Sequence, residues 1–120
     1  MIYGVGTDIT EIKRVLSACE KEHFRNRIFT EQELLEAQKD RMRLASDYAA
    51  KEAVAKALRT GFRSFSPGDI ECLRDELGAP FIVLHGEAER LAASLRISRI
   101  HISLSDTDET ALAFAVAEID

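Results

Sequence analysis

Leu44-Ala45-Ser46-Asp47-Tyr48-Ala49-Ala50-Lys51-Glu52-Ala53-Val54-Ala55-Lys56-Ala57-Leu58 is the stretch around which this chain must be arranged. It reads as a long helix, stopped at Thr60-Gly61 because glycine is a natural C-terminal breaker. Ala45, Ala49, Ala50, Ala53, Ala55 and Ala57 let its backbone come close to neighbours, which puts the helix at the centre of the fold. Charged residues on a central helix are costly to bury, so those on this one draw attention as working groups.

Outward from that helix, hydrophobic spacing predicts the remaining elements. Ile2 to Gly6 reads as a short strand, and Thr10 to about Glu22 as a helix with Ile12, Val15, Leu16 and Cys19 on one face. Phe24 and Ile28-Phe29 follow as anchors. Thr30-Glu31-Gln32-Glu33 is a capping box that opens a short helix through Leu34, Leu35 and Ala37. Beyond the central helix, Ser66-Pro67-Gly68-Asp69 is a turn before a strand at Ile70–Leu73. Asp75 to Pro80 is a second turn before a strand at Phe81–Leu84. Gly86 to Arg96 has helical spacing, Ile100, Ile102 and Leu104 have strand spacing, and Ala111 to Ile119 is a closing apolar strand. The last two strands are expected to form an antiparallel hairpin. The class is α+β, with helices on a mainly antiparallel sheet and one domain over residues 1–120.

Bulk properties narrow the function. The 120 residues are 46% apolar, enough for a core, although a small domain gains by oligomerising. No stretch approaches the roughly 18 apolar residues of a membrane span, and the start of the chain has no signal-peptide pattern. Cys19 and Cys72 read as buried free thiols in a reducing compartment, a two-Cys metal site or disulfide being the alternative, so a cytoplasmic protein is expected. Residues 1–68 carry 12 Lys/Arg against 10 Asp/Glu, and residues 69–120 carry 4 against 11. That acidic second half argues against a nucleic-acid partner. The segment from Lys13 to Arg27, with Lys13, Arg14, Lys21, Arg25 and Arg27 against Glu20 and Glu22, suits an acidic protein.

Several groups could carry chemistry, each with a plainer alternative. Asp8 fits a D-x-x-E helix cap and also a metal ligand waiting for a second carboxylate. Glu52 and Lys56 lie at i and i+4, on one side of a helix, as a surface ion pair or as a carboxylate and ammonium for a cation and a phosphate. Thr60-Gly61 is a helix stop or a pair of phosphate-binding amides. Ser103, Ser105 and Thr107 are turn residues or oxyanion donors. His23, His85 and His101 show no catalytic partner pattern. Nucleophile elbow, Walker loop, CxxC and HExxH are all missing.

Taken in order, these segments resemble the holo-acyl-carrier-protein synthases, the small bacterial branch of the 4′-phosphopantetheinyl transferases. The likeness runs through Met1 to Val15, Arg27-Ile28-Phe29-Thr30, Tyr48-Ala49-Ala50-Lys51-Glu52-Ala53 with Lys56-Ala57-Leu58, Asp69-Ile70-Glu71, Leu77-Gly78-Ala79-Pro80 and Ile102-Ser103-Leu104-Ser105. The resemblance implies transfer of 4′-phosphopantetheine from coenzyme A to a serine of an apo-acyl carrier protein, in fatty acid or polyketide synthesis, leaving adenosine 3′,5′-bisphosphate. It implies Mg²⁺ on Asp8 and Glu52, proton removal by Glu52, and Lys56 at the leaving group. It also implies coenzyme A contacts from Lys51, Thr60, Gly61, Ser105, Asp106 and Thr107. Lys13, Arg14 and Arg25 would face the carrier protein, and three copies would form a homotrimer with active sites between subunits.

Three positions depart from the family pattern. The Arg that usually precedes the aromatic residue of the Arg-Phe-Ala-x-Lys-Glu-Ala run is Asp47; the His that usually follows the Ser of the closing strand is Asp106; the usual Gly after Lys-Ala-aliphatic is Arg59. Two groups that help bind coenzyme A phosphates have become anionic, and carboxylates close to a phosphate repel it. Weakened coenzyme A binding, or tolerance of a nucleotide without the 3′-phosphate, is the expectation. The competing functions are a non-catalytic paralogue that binds a carrier protein and a metal-dependent phosphohydrolase.

Overall fold

The computed structural model describes all 120 residues. A long first strand, β1 (Ile2–Glu11), leads into three short helices, α1 (Ile12–Ala18), α2 (Glu22–Ile28) and α3 (Glu31–Ala37). The central helix α4 spans Met42–Ala57. Strands β2 (Ile70–Arg74) and β3 (Pro80–Leu84) form a hairpin, α5 covers Gly86–Ser94, and β4 (Ile97–Asp106) and β5 (Thr110–Ile119) close the chain. Two antiparallel sheets result, one of order β1-β5-β4 and one of β2-β3. The α+β class and the closing hairpin are as the sequence led us to expect.

Small residues decide where α4 sits. On the inner face of the larger sheet, β5 presents Ala111, Ala113, Ala115 and Ala117, all fully buried. Gly4 and Gly6 of β1 stand beside Ala117 and Ala115 in the ladder. A Cβ at Gly4 would run into the Ala57 carbonyl oxygen, and one at Gly6 into that of Ala53. The helix answers with Ala45, Ala49, Ala53 and Ala57, each wholly buried. Backbone therefore packs nearly on backbone, and dispersion contacts accumulate without large side chains.

The other side of α4 is fastened by a buried ion pair. Lys51 Nζ lies 2.7 Å from Glu33 Oε1, and both side chains are essentially inaccessible to water. Its other protons go to the carbonyls of Pro67 and Ile70. Glu33 in turn accepts from the Thr30 amide at 2.9 Å, completing the capping box, and from the Cys72 amide at 2.8 Å. One charge pair thus ties α3, α4 and β2 together with every hydrogen-bonding group used, the condition under which a buried pair is tolerated.

Two boundaries differ from the sequence reading. The strand expected over residues 2–6 continues to Glu11, because Thr7 to Glu11 pair with Thr110 to Phe114. Asp8 is consequently a strand residue opposite Ala113, and the helix-cap reading is wrong; α1 starts four residues later without a side-chain cap. The helix expected over residues 10–22 stops at Ala18, and a separate helix, α2, takes up Glu22–Ile28, where only anchor residues were expected. The Arg25 guanidinium donates to the carbonyls of Cys19 at 2.8 Å and Glu20 at 3.3 Å, satisfying the chain at that break.

Candidate active site

The architecture leaves a cleft on the β1 side of α4, about 410 Å³ in volume and lined by Asp8, Thr10, Glu11, Arg14, Val15, Ala18, Phe24, Tyr48 and Glu52. Asp8 and Glu52, forty-four positions apart, thus share one recess. Strand alternation sets Asp8: even positions of β1 face α4, and after Gly4 and Gly6 the next inward residue is Asp8. Glu52 and Tyr48 reach the same recess from neighbouring turns of α4.

Asp8 is the least satisfied group in the molecule. Its Oδ2 is buried and has no hydrogen-bond partner. Its Oδ1 lies 3.7 Å from Lys56 Nζ, too far for a tight contact, and that ammonium donates instead to the Thr7 carbonyl at 2.8 Å. Burial pushes the Asp8 carboxyl above its usual range and the Glu52 charge adds to the push, while Lys56 opposes both. Tyr48 is held protonated by burial and by the same two carboxylates, Glu52 before Asp8. Its ring packs on Phe24 with centroids 6.4 Å apart. Its phenol is a donor in the recess that sequence reasoning passed over; a hydroxyl four residues before Glu52 on a helix was the available signal.

The remaining expected site residues are distributed unevenly. Arg14 lines the recess, and Lys13 beside it is exposed. Arg25 is not a free surface cation, since it caps the end of α1. Lys51 cannot reach coenzyme A from this position, because its ammonium is sealed against Glu33 in the core. Gly61 offers no spare amide: its N–H closes α4 on the Ala55 carbonyl at 3.2 Å, and the Thr60 hydroxyl donates to the Gly61 carbonyl at 2.9 Å. Thr107 uses its hydroxyl to accept from the amides of Glu109 and Thr110 in the β4–β5 turn. Ser105 is exposed at the end of β4, and Asp106 lines a second cleft on the opposite side of α4.

Asp47 is not the free anion that the sequence suggested. Its carboxylate is 3% exposed and holds the Arg74 guanidinium at 2.8 Å. Burial pushes it up to about 6, against the pull of Arg74. The partner lies twenty-seven positions away on β2, beyond the reach of a local pattern. Arg59 adopts a left-handed conformation, φ 70°, just past α4, which is where a glycine is least strained.

The structure gathers no group of three or more His, Cys, Asp or Glu able to ligate a metal. The recess nonetheless suits a hard divalent cation. Two carboxylates converge there, one with an unpartnered oxygen, and Mg²⁺ is held by one or two carboxylates with the rest of its shell from phosphates and water.

Comparison with known proteins gives this geometry a family. The model of the 4′-phosphopantetheinyl transferase superfamily matches residues 4–115. The chain belongs to that superfamily. It is an enzyme of the holo-[acyl-carrier-protein] synthase type. It is 47% identical over 119 residues to a holo-[acyl-carrier-protein] synthase of Lachnoclostridium phytofermentans, covering 99% of this chain and 98% of the relative. Its fold is similar to the crystal structure of the Neisseria meningitidis holo-[acyl-carrier-protein] synthase, with a TM-score of 0.90 and 40% identity over 98% of this chain and 99% of that one. The Bacillus anthracis holo-(acyl-carrier-protein) synthase, solved in complex with CoA (3′,5′-ADP), gives a TM-score of 0.82 and 32% identity over 100% and 99%.

Proposed function

We propose that this enzyme transfers the 4′-phosphopantetheine of coenzyme A to a serine of an apo-acyl carrier protein, releasing adenosine 3′,5′-bisphosphate, with Mg²⁺ held by Asp8 and Glu52. The observation that carries the reading is the unpartnered Asp8 oxygen in a recess shared with Glu52 and flanked by Lys56. The relatives' names and the coenzyme A complex of the Bacillus protein support the same substrates.

In the transfer, the serine oxygen bonds to the phosphorus attached to pantetheine, and the bond from that phosphorus to the bridging pyrophosphate oxygen breaks. Glu52 takes the serine proton, directly or through water. Lys56, more than half exposed and able to turn from Thr7, neutralises the charge left on the nucleotide phosphate. Tyr48 stays protonated and donates within the recess, steadying the Glu52 carboxylate. When bound, Mg²⁺ supplies charge neutralisation at the pyrophosphate. Arg14 lines the recess and the exposed Lys13 precedes it in the chain, a basic pair that suits an acidic carrier protein.

A homotrimer belongs to this reading. The outer face of the larger sheet exposes Val5 (55%), Ile9 (68%), Leu112 (38%) and Phe114 (41%). Val5 and Ile9 are next-but-one neighbours of Thr7, which pairs with Phe114, so the four form one patch. Burying the exposed half of such side chains yields about 1 kcal/mol each, and further copies of the chain are the occupant we assign. No helix is long and apolar enough to cross a membrane, and the cytoplasm is the compartment we assign.

Incubating the protein with an apo-acyl carrier protein, coenzyme A and Mg²⁺ and weighing the carrier by mass spectrometry tests the reading. A phosphopantetheine adduct on serine, abolished by Glu52→Gln and by EDTA, is the expected result. No adduct with any carrier offered overturns it.

A further inference from the structure

On the β1 side of α4, two exposed cations follow one another along the strand. Gly4 and Gly6 bring the helix so close that its side chains leave directly over β1. Lys56 Cβ lies 2.9 Å from the point where a Cβ on Gly6 would stand, and Arg59 Cγ lies 3.2 Å from the corresponding point at Gly4. The two glycines are separated by one residue, or about 7 Å along a strand. Lys56 reaches forward from its place to the Thr7 carbonyl and toward Asp8. Arg59 reaches the other way, and its Cζ lies 5.4 Å from the centroid of the Tyr3 ring. Asp8, Lys56 and Arg59 thus stand in one file along β1, with Glu52 in the recess beside the first of them.

Lys56 has a carboxylate 3.7 Å away, whereas the Arg59 guanidinium enters no ion pair and no hydrogen bond. The ring face holds it, and that is a weak restraint on an exposed cation. Local preferences do not favour arginine here. Its φ of 70° is the region in which glycine is relaxed, and like charges three positions apart repel each other. A cation closing the C-terminal end of a helix is the plain alternative. Arg96 takes the same conformation after α5, so the backbone alone assigns no role. What singles out Arg59 is its place next to Lys56 in the file that leads to Asp8.

We propose that Arg59 is a second cation for the nucleotide phosphate released in the transfer, swinging off the Tyr3 ring to join Lys56. This rests on the transfer reading above. In that step the electron pair of the breaking bond stays on the bridging oxygen, and the serine proton goes to Glu52. The 5′-phosphate of the nucleotide therefore leaves with one more negative charge than it carried in the pyrophosphate. Lys56 answers one charge and Arg59 the other. Because the second charge appears only as the bond breaks, the contact acts on kcat more than on KM.

Two variants test this. Arg59→Gly relaxes the backbone and should melt no lower than the wild type, and Arg59→Lys keeps the charge. With coenzyme A and an apo-acyl carrier protein, Arg59→Gly should lower kcat about tenfold with KM within threefold, and Arg59→Lys should recover most of the loss. A kcat unchanged in Arg59→Gly, or a loss that Arg59→Lys shares in full, overturns the proposal. Calorimetric binding of adenosine 3′,5′-bisphosphate and of adenosine 3′-monophosphate separates it from the transfer reading. Arg59→Gly should weaken the bisphosphate about tenfold and leave the 3′-monophosphate, which lacks the 5′-phosphate, within twofold. Equal bisphosphate affinity in wild type and variant, or an equal loss for both nucleotides, refutes the assignment even where transfer proceeds. A tenfold difference without any transfer by the wild type would instead sink the transfer reading and leave Arg59 as a contact to the 5′-phosphate.

Discussion

Replacing Asp8 with Asn should remove transfer and yet make the metal-free protein harder to melt. A buried carboxylate oxygen without a partner costs about 1–3 kcal/mol. Lys56 offsets little of this, since it stands 3.7 Å away and is 54% exposed, and such pairs contribute only about 0–1 kcal/mol. An amide is neutral, ends the repulsion from Glu52 and can donate to it. We expect a net gain of about 1 kcal/mol, or roughly 4 °C in a chain of this size. The sign also depends on pH. The folded-state value of Asp8 is raised, so between the usual carboxylate range and that value the folded chain holds more protons than the unfolded one. Stability of the wild type therefore falls as pH rises through that window. The Asp8→Asn advantage should be full at pH 8 and shrink toward pH 4. The assay is thermal unfolding followed by circular dichroism at fixed protomer concentration, in EDTA and then in Mg²⁺. Mg²⁺ should raise the Tm of the wild type and leave the variant unmoved, since only a ligand that binds the native state stabilises it. A variant that melts below the wild type in EDTA at pH 8, or that gains as much from Mg²⁺, would refute the reasoning.

Three further outcomes follow from the packing. Lys51→Met strands the Glu33 charge in the core and should cost about 3–5 kcal/mol, read as a fall in the urea midpoint; a loss below 1 kcal/mol would mean that the pair is not a fastener. Gly6→Ala drives a methyl into the Ala53 carbonyl and should destabilise by about 3 kcal/mol or prevent soluble expression, whereas an unchanged Tm would show that α4 can retreat. If the proposed homotrimer forms through the outer sheet face, Ile9→Lys should convert it to monomers in sedimentation velocity, with the monomer keeping its secondary structure; a trimer that persists in the variant places the interface elsewhere.

Much of the fold is legible in short-range patterns. Thr30 and Glu33 cap each other across three positions, and the alternation in β4 and β5 can be read residue by residue. The alanines of α4 announce a close neighbour, though only the structure shows that it is the matching row on β5. What escaped the sequence reading was settled at long range. Asp8 looks like a cap because Glu11 stands three positions on, yet pairing with Ala113 keeps it in a strand. Lys51 stands beside Glu52 in the run that carries the family likeness, but its partner Glu33 lies eighteen positions back and takes it into the core. Asp47 looked hostile to phosphate because Arg74, which neutralises it, sits in another element. The pairing of Asp8 with Glu52 in one recess was legible only through the family likeness, since neither segment names the other.

Gly4, Gly6 and the β5 alanines leave α4 no cushion of side chains on which to slide. The helix is a fixed wall with one chamber on each side, and any shift that widened one chamber would crowd the other. A change in the shape of the Asp8 recess therefore has to come from the side chains that line it, because moving the helix would break its backbone contacts with β1 and β5.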